Sequence, residues 1–362
     1  MGRSATVRVE PARVLAWLRT RHPDADLVAL RPLGADAQAG LKDYGYGRPL
    51  RVTFTAAGRT HDLVLRTMAP DPFGHHRRAD RVADLVLCHD TFGAIPRHIR
   101  PAEVGAFTPD GDLRPLPDGE PYLITEFVEG RLYADDLHRL AAADEAPVPD
   151  LARAEALARY LADLHRAPAR PVDYVRAVRD LLGSGEGIFG LCDSYPADHP
   201  VATPARLRAI EHRALDWRWR LRPLVHRARR THGDFHPFNL LFRAGTDLSV
   251  LDCSRGAAGD PADDLTCLSI NYLFFALVER GAFEGALRAL WDRFWGAWAD
   301  AADDAALYEV VAPYFAWRGL VVASPVWYPR VDDTTRDRLL RFVERLLEGD
   351  PFHPRRVDDL LA

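Results

Sequence analysis

The chain has 362 residues, with 47 Lys and Arg against 52 Asp and Glu, for a formal net charge of −5, a balance that argues against a basic nucleic-acid binder. With 48% hydrophobic and 27% charged residues it can bury a sizeable core, which excludes disorder and collagen-like repeats, and at roughly 150 residues per domain the length predicts two domains. Its four cysteines, Cys88, Cys192, Cys253 and Cys267, form no Cys-x-x-Cys pair, so they read as buried small hydrophobes in a reducing compartment.

Met1 to Pro23 carries several arginines and Glu10 and does not read as a secretory signal. The longest apolar run, Ile270 to Val278, contains Asn271 and is far short of the roughly 20 residues that cross a bilayer. The expectation is a soluble cytoplasmic protein with neither membrane nor nucleic-acid partner. Glu10 to Arg21 has helical spacing at Val14, Leu15 and Leu18. Strand-like runs follow at Asp26 to Leu33, Leu50 to Thr55 and His61 to Thr67, with the turn-like Ala56-Ala57-Gly58 joining the last two. Between the first and second lies a glycine-punctuated loop, Gly34 to Gly47, which holds the only lysine of the chain, Lys42. Asp80 to Phe92 reads as a helix ending near Gly93 and Pro96, and two more strands fall near Glu103 to Phe107 and Tyr122 to Val128. After Gly130 the periodicity becomes helical: Leu151 to Arg166, Val172 to Leu182, Pro204 to Val225, Asp263 to Arg280 and most of Phe283 to Leu347. Only Leu240 to Phe242 and Leu248 to Cys253 read as strands there. The expected fold is α+β and two-lobed, with a β-rich N-terminal lobe (residues 1–128) and a mostly α-helical C-terminal lobe (129–362).

The chemistry concentrates in His232-Gly233-Asp234-Phe235-His236-Pro237-Phe238-Asn239, whose His-x-Asp-x-x-x-x-Asn spacing is that of a kinase catalytic loop. The strand Ser249-Val250-Leu251 then ends in Asp252. An amide oxygen and a carboxylate at the ends of one hairpin are hard donors suited to Mg²⁺, and Asp234 on the incoming loop can meet a substrate hydroxyl. Phosphoryl transfer asks for such a set, because positioning and charge neutralisation do most of the work. Asp234 is then the base or orienter, Asn239 and Asp252 the metal ligands, and His232 a brace for the loop.

His-Gly-Asp-x-His-x-x-Asn, then Val-Leu-Asp, then Gly259-Asp260-Pro261-Ala262-Asp263-Asp264-Leu265 resembles the aminoglycoside phosphotransferase and choline kinase superfamily, which has a protein-kinase-like fold. The resemblance is densest over His232 to Leu265. It implies a kinase that moves the terminal phosphoryl group of ATP or GTP, with Mg²⁺, to a hydroxyl of a small polar acceptor. It also implies that Arg66 grips the nucleotide phosphates, with Asp80 or alternatively Asp84 as its acidic partner; Arg is a departure from the Lys of protein kinases that keeps the charge. The glycine loop would cover the phosphates through backbone N–H groups, with Lys42 adding a point charge. Backbone groups of Glu126 and Val128 would bond the purine edge. Asp263 or Asp264 would open a helix and bond the catalytic loop, with helix capping as its main work, and His236 would support the same loop.

Acceptor specificity is expected from the insertion Arg170 to Arg230 and the C-terminal helices, with Glu186, Asp193, Tyr195 and, after the second metal ligand, Arg255 as candidates. That insertion mixes signs and aromatics, whereas a polycationic acceptor calls for a strongly acidic site; aminoglycosides are therefore one acceptor class among sugars, nucleosides, amino alcohols and other natural products. Two other readings compete. One is a catalytically inactive, nucleotide-binding pseudokinase, and the other a metal-dependent hydrolase using His232, Asp234 and His236. The Trp217-Arg218-Trp219-Arg220 segment places one tryptophan in the core and the other outside it.

Overall fold

The computed structural model describes residues 9–33, 47, 49–70, 75, 78–115, 120–253, 255–349 and 351–361. Contacts divide the chain into two compact units, one built from residues up to Glu129 together with Asp252–Arg255, the other from Gly130–Leu251 and Gly256–Ala362.

In the first unit, helix α1 (Pro11–Arg19) precedes strands β1 (Asp26–Pro32), β2 (Leu50–Ala56) and β3 (Arg59–Thr67), then helix α2 (Arg78–Thr91) and strands β4 (Pro101–Phe107), β5 (Leu113–Pro115) and β6 (Glu120–Glu126). They form one antiparallel sheet in the order β1-β2-β3-β6-β4-β5. Ala56 pairs with Arg59, so the β2–β3 turn is the two residues Ala57 and Gly58, both at positive φ (50° and 72°). That is the turn whose twist suits a tight hairpin, and the Ala57 N–H is held by Asp24 (2.6 Å). Alternate residues Val52, Phe54 and Ala56 are buried and join Val14, Trp17, Leu18, Leu65, Phe107, Tyr122 and Ile124 in the core of this unit. Glu103 ties the helix to the sheet by accepting from Trp17 Nε1 (3.0 Å) and from the Tyr122 hydroxyl. Burial pushes that Tyr122 hydroxyl up to about 12.

The second unit opens with β7 (Arg131–Leu132) and helices α3 (Tyr133–Leu140), α4 (Val148–Leu164), α5 (Pro171–Gly183), α6 (Ile188–Asp193) and α7 (Pro204–Leu221). The hairpin β8 (Leu240–Phe242) and β9 (Leu248–Val250) follows, and then α8 (Pro261–Arg280), α9 (Gly285–Ala301), α10 (Leu307–Val310), α11 (Ala312–Ala323), α12 (Asp333–Leu346) and α13 (Val357–Leu361). Strands β7, β8 and β9 make a small antiparallel sheet. Helix α8 is buried on nearly every side, and its polar side chains bond back along the helix: Thr266 to Ala262 O (2.8 Å), Ser269 to Leu265 O (2.7 Å) and Asn271 to Cys267 O (2.8 Å). Its start is set by the Asp260 side chain, which accepts from Ala262 N (3.0 Å), with Pro261 in the first turn. Gly281 at φ 67° closes its end. Trp217 is buried and donates to Leu347 O (3.2 Å), while Trp219 is 59% exposed, the division expected of alternate aromatics on a helix. All four cysteines are buried and free. Among the described residues no helix is long and apolar enough to cross a membrane.

Candidate active site

The chain enters the His232–Asn239 loop as an extended segment: Arg229 and Gly259 exchange backbone bonds (2.9 and 3.0 Å), and Thr231 N donates to Ala257 O (3.3 Å). Gly233 then turns the chain at φ 78°, a conformation that costs a side-chain-bearing residue about 1–2 kcal/mol. The turn brings two successive N–H groups onto one carboxylate, with His232 N to Asp264 Oδ2 (2.8 Å) and Gly233 N to Asp264 Oδ1 (2.7 Å). His165 Nε2 lies 3.0 Å from the same Oδ2. Burial alone would raise the Asp264 carboxyl, but the His165 bond and charge, with the His232 contacts, outweigh it and hold the group below the usual carboxylate range. Phe235, fully buried, stacks on Tyr160 (5.7 Å) and anchors the loop in the core.

Past Asp234 the loop closes on itself. His236 N donates to Asp234 O (2.9 Å), Phe238 N to His236 Nδ1 (3.2 Å), and Asn239 N to His236 O (2.9 Å), forming a 3-10 turn over Pro237–Asn239. Asn239 Nδ2 donates to Asp234 O (3.0 Å) and approaches Oδ2 (3.4 Å). With its NH₂ on that side, the Asn239 amide oxygen is the atom presented away from Asp234. Leu251 N bonds Asn239 O (2.8 Å) and extends the β8–β9 ladder. His232 Nδ1 accepts from Asp234 N (3.3 Å), and His236 Nε2 is 3.4 Å from Asp234 Oδ2. Both Nδ1 atoms thus bond the loop's own backbone, and no group of three or more His, Cys, Asp or Glu placed to hold a metal occurs among the described residues.

One expectation about this region is corrected. Capping falls to Asp260, not to Asp263 or Asp264, because the helix starts at Pro261 and both later carboxylates are already within its first turn. Of that pair, Asp264 bonds the loop, while Asp263 pairs with Arg318. Sequence reasoning also missed three residues. Arg318, 4% exposed on α11, reaches Asp234 Oδ1 (3.3 Å), Gly233 O (3.1 Å) and Asp263. His165 supports Asp264, and buried Arg227 grips the cap residue Asp260 through two bonds (2.7 and 2.9 Å). A lone charge within APYFAWRGLVVA was the available signal for Arg318.

In the first unit, β3 pairs with β6 so that Arg66 faces Leu123 and Leu63 faces Glu126. Arg66 Nη2 donates to Asp252 Oδ2 (2.7 Å), and the Asp252 charge raises the Arg66 pKa above its ordinary value. Asp252 stands at φ 58°. Among the described residues the carboxylate bonded to Arg66 is therefore Asp252, not one from α2; Asp84 instead meets His75 Nε2 (2.7 Å), and Asp80 lies in the first turn of α2. Burial raises the nearby Cys88 thiol, and the Asp252 charge adds to it. The Glu126 N–H is engaged by Arg100 O (3.1 Å) and its carboxylate accepts from Arg100 N (2.6 Å). Val128 is half-buried, and Arg255 likewise. Lys42 and most of the glycine loop lie outside the described residues.

Among the acceptor candidates, Tyr195 is a core residue: it is buried and its hydroxyl donates to Leu320 O (3.1 Å), which removes it from a substrate-facing role. Glu186 is half-buried, with its backbone O accepting from Trp317 Nε1 (2.5 Å). Asp193 is exposed at the end of α6.

A family model described as the phosphotransferase enzyme family matches residues 51–304. The chain belongs to this family. The matched span runs from β2 to the loop after α9 and takes in Arg66, the Asp234 loop, Asp252 and Asp264. Solved phosphotransferases have the same fold. Aminoglycoside phosphotransferase APH(3'')-Id from Streptomyces rimosus is 16% identical, with a TM-score of 0.50 over 88% of this chain and 100% of its own. Choline kinase from Cryptosporidium parvum is 10% identical, with a TM-score of 0.54 over 97% of this chain and 98% of its own. The expected α+β kinase-like fold class is thereby established for this phosphotransferase. No curated protein matches it in sequence.

Proposed function

We propose that this phosphotransferase moves the terminal phosphoryl group of a nucleoside triphosphate, ATP or GTP, to a hydroxyl of a small polar acceptor. The observation that carries the reading is Asp234: its carboxylate is held on a loop whose backbone is pinned by Asp264, one oxygen faced by Arg318 and the other by Asn239 and His236. Such a carboxylate orients an acceptor hydroxyl. The hydroxyl oxygen bonds the terminal phosphorus, the bond from that phosphorus to its bridging oxygen breaks with the electron pair leaving on the nucleoside diphosphate, and the hydroxyl proton passes to Asp234. Arg66 has donors beyond the one on Asp252 with which to bind phosphate oxygens. Backbone groups of Glu126 and Val128 are the ones assigned to the base.

The donor set fits Mg²⁺, since the Asn239 amide oxygen and the Asp252 carboxylate are hard oxygen ligands. When bound, the ion neutralises phosphate charge. Asn239 and Asp252 would hold it, and the remaining work belongs to the chain: Asp264 and His165 fix the loop, and Asp234 receives the proton.

The test is a panel of sugars, nucleosides, choline, aminoglycosides and macrolides, each with ATP and GTP, read by nucleoside diphosphate release. Turnover on at least one acceptor is expected, and Asp234→Ala should lower kcat by about 10²–10⁴ while leaving nucleotide affinity within about twofold. Nucleotide binding without turnover on any acceptor would instead identify an inactive binder.

A further inference from the structure

Arg318 lies on α11, 84 residues from the aspartate it touches, and outside the segment matched by the family model. Its guanidinium contacts three acceptors: Asp234 Oδ1, Gly233 O and Asp263 Oδ1. The first two belong to adjacent residues, one side chain and one backbone, so the planar fork fixes both the peptide leading into Asp234 and the rotation of its carboxylate. The fork is itself fixed on two sides. Asp263 on α8 anchors one edge, and the ring of Trp317 lies 3.8 Å from the guanidinium carbon, with Trp317 tied to Glu186 O.

Stability is a poor explanation for this arrangement. Desolvating an arginine to 4% exposure is costly, and a buried ion pair is often no better than apolar residues of similar volume. Helices α8 and α11 already pack against each other, and both are rich in buried apolar residues. What an apolar replacement cannot reproduce is a directional donor on the oxygen of Asp234 opposite the one faced by Asn239 and His236. Cys267 Sγ, at 3.9 Å from that same oxygen, is a weak donor at a long distance and no substitute.

We propose that Arg318 is a positioning residue for phosphoryl transfer: it locks the Asp234 carboxylate so that the oxygen away from Arg318 meets the acceptor hydroxyl. The inference rests on the kinase reading above. Misplacing a reacting group by about 1 Å costs on the order of 10² in rate, so the effect belongs in kcat. Arg318→Lys keeps the charge but cannot span three acceptors, and a kcat about tenfold lower is expected. Arg318→Met should lose about 10²–10³ in kcat, with the acceptor KM and the affinity for Mg²⁺-ATP within about threefold of the parent.

Arg318→Met strands two carboxylates and invites misfolding, so the double variant Arg318→Met/Asp263→Leu is the decisive one. It removes the part-buried pair together, leaves Asp234 intact, and should melt at a temperature close to the parent. Turnover is followed on the acceptor found in the panel and as hydrolysis of Mg²⁺-ATP by water, with Asp234→Ala alongside. A double variant that binds Mg²⁺-ATP normally yet is slowed about 10²-fold or more supports the inference. A folded double variant with kcat within about threefold of the parent, while Asp234→Ala is inactive, overturns it and leaves the kinase reading standing. Loss of nucleotide binding and of melting temperature in step with activity makes Arg318 merely structural and also overturns it. Full activity of Asp234→Ala, or no turnover by the parent, sinks the kinase reading and this inference together.

Discussion

Asp252 combines two demands at one position. It is the carboxylate bonded to Arg66, and its backbone stands at φ 58°, a region that Asp and Asn tolerate far better than other non-glycine residues. The two demands separate by choice of substituent. Asp252→Asn keeps the backbone tolerance and one side-chain oxygen but removes the charge; it should weaken Mg²⁺-nucleotide binding by about tenfold or more, measured by calorimetry, with little change in melting temperature. Asp252→Ala should add a strain of about 1 kcal/mol or more, visible as a lower urea midpoint in the absence of nucleotide. Equal nucleotide affinity in parent and Asp252→Asn would remove Asp252 from the nucleotide site. Asp234, Asn239 and Asp252 could be singled out from sequence because their signal is local, a fixed spacing within one loop and one hairpin. Arg318, His165 and Arg227 could not, since their partners lie 84, 99 and 33 residues away and no spacing rule connects them. The choice between Asp263 and Asp264 was open for a related reason. Adjacent helical residues point about 100° apart, and only the packing of α8 shows which one turns toward the loop.

At the scale of elements, the long periodic segments and the alternating strands were legible, because burial of one face imposes the pattern. Of the elements of two to six residues, β5, β7, α6, α10 and α13 are too short to show a period, whereas β8 and β9, three residues each, were legible as apolar strand-like runs beside the loop motif. The expected helical stretch Phe283 to Leu347 is divided into α9 to α12, with Pro313 in the first turn of α11 and Ser324 and Pro325 after it. The expected strand to Cys253 stops at Val250. Helix α8 is the element on which the loop depends, and Arg227 secures its start by bonding Asp260 and also Asp304 (2.8 and 2.9 Å). Burial lowers the Arg227 proton affinity, but the bonds to Asp260 and Asp304 outweigh it and raise its pKa well above the ordinary value. Arg227→Met leaves Asp260, 1% exposed, without its counter-ion, which costs about 3–5 kcal/mol. The predicted readouts are a lower urea midpoint and faster hydrogen exchange at the His232 and Gly233 amides, which Asp264 holds. Adding Asp260→Asn, which keeps a capping side chain without the charge, should recover part of the stability. A parent-like midpoint in Arg227→Met would show that the start of α8 is secured elsewhere.

At the scale of the whole molecule, the ion pairs set how the fold responds to acid. Asp62, Glu155 and Asp173 are held below the usual carboxylate range chiefly by bonds from Arg51, Arg159 and Arg170, and Asp332 by the backbone of Thr335. For Asp337 and Asp264 burial pushes upward, and the bonds from Arg206 and His165 overcome it. A carboxylate whose folded pKa is depressed binds its proton first in the unfolded chain, so its contribution is complete above the unfolded value of about 3.9–4.3 and is lost as pH falls through the folded value. Glu211, raised by burial and by Asp193, runs the other way and costs stability as pH rises above about 4.3. The net expectation is a stability that declines steeply below about pH 4. The contributions divide by exposure: pairs such as Arg170–Asp173, whose arginine side chain is 78% exposed, are screened by salt, whereas fully buried Asp264 is not. In 0.5 M salt (about half a Debye length shorter than at 0.1 M) the remaining acid limb should therefore be dominated by Asp264. Urea titrations from pH 7 to pH 3 at that salt should show a shallower limb for Asp264→Asn than for the parent, by up to about 1.4 kcal/mol per pH unit, the equivalent of one proton. Parallel limbs for the two proteins would mean that Asp264 gains no proton on unfolding in acid, and the account of how the loop is pinned would fall with it.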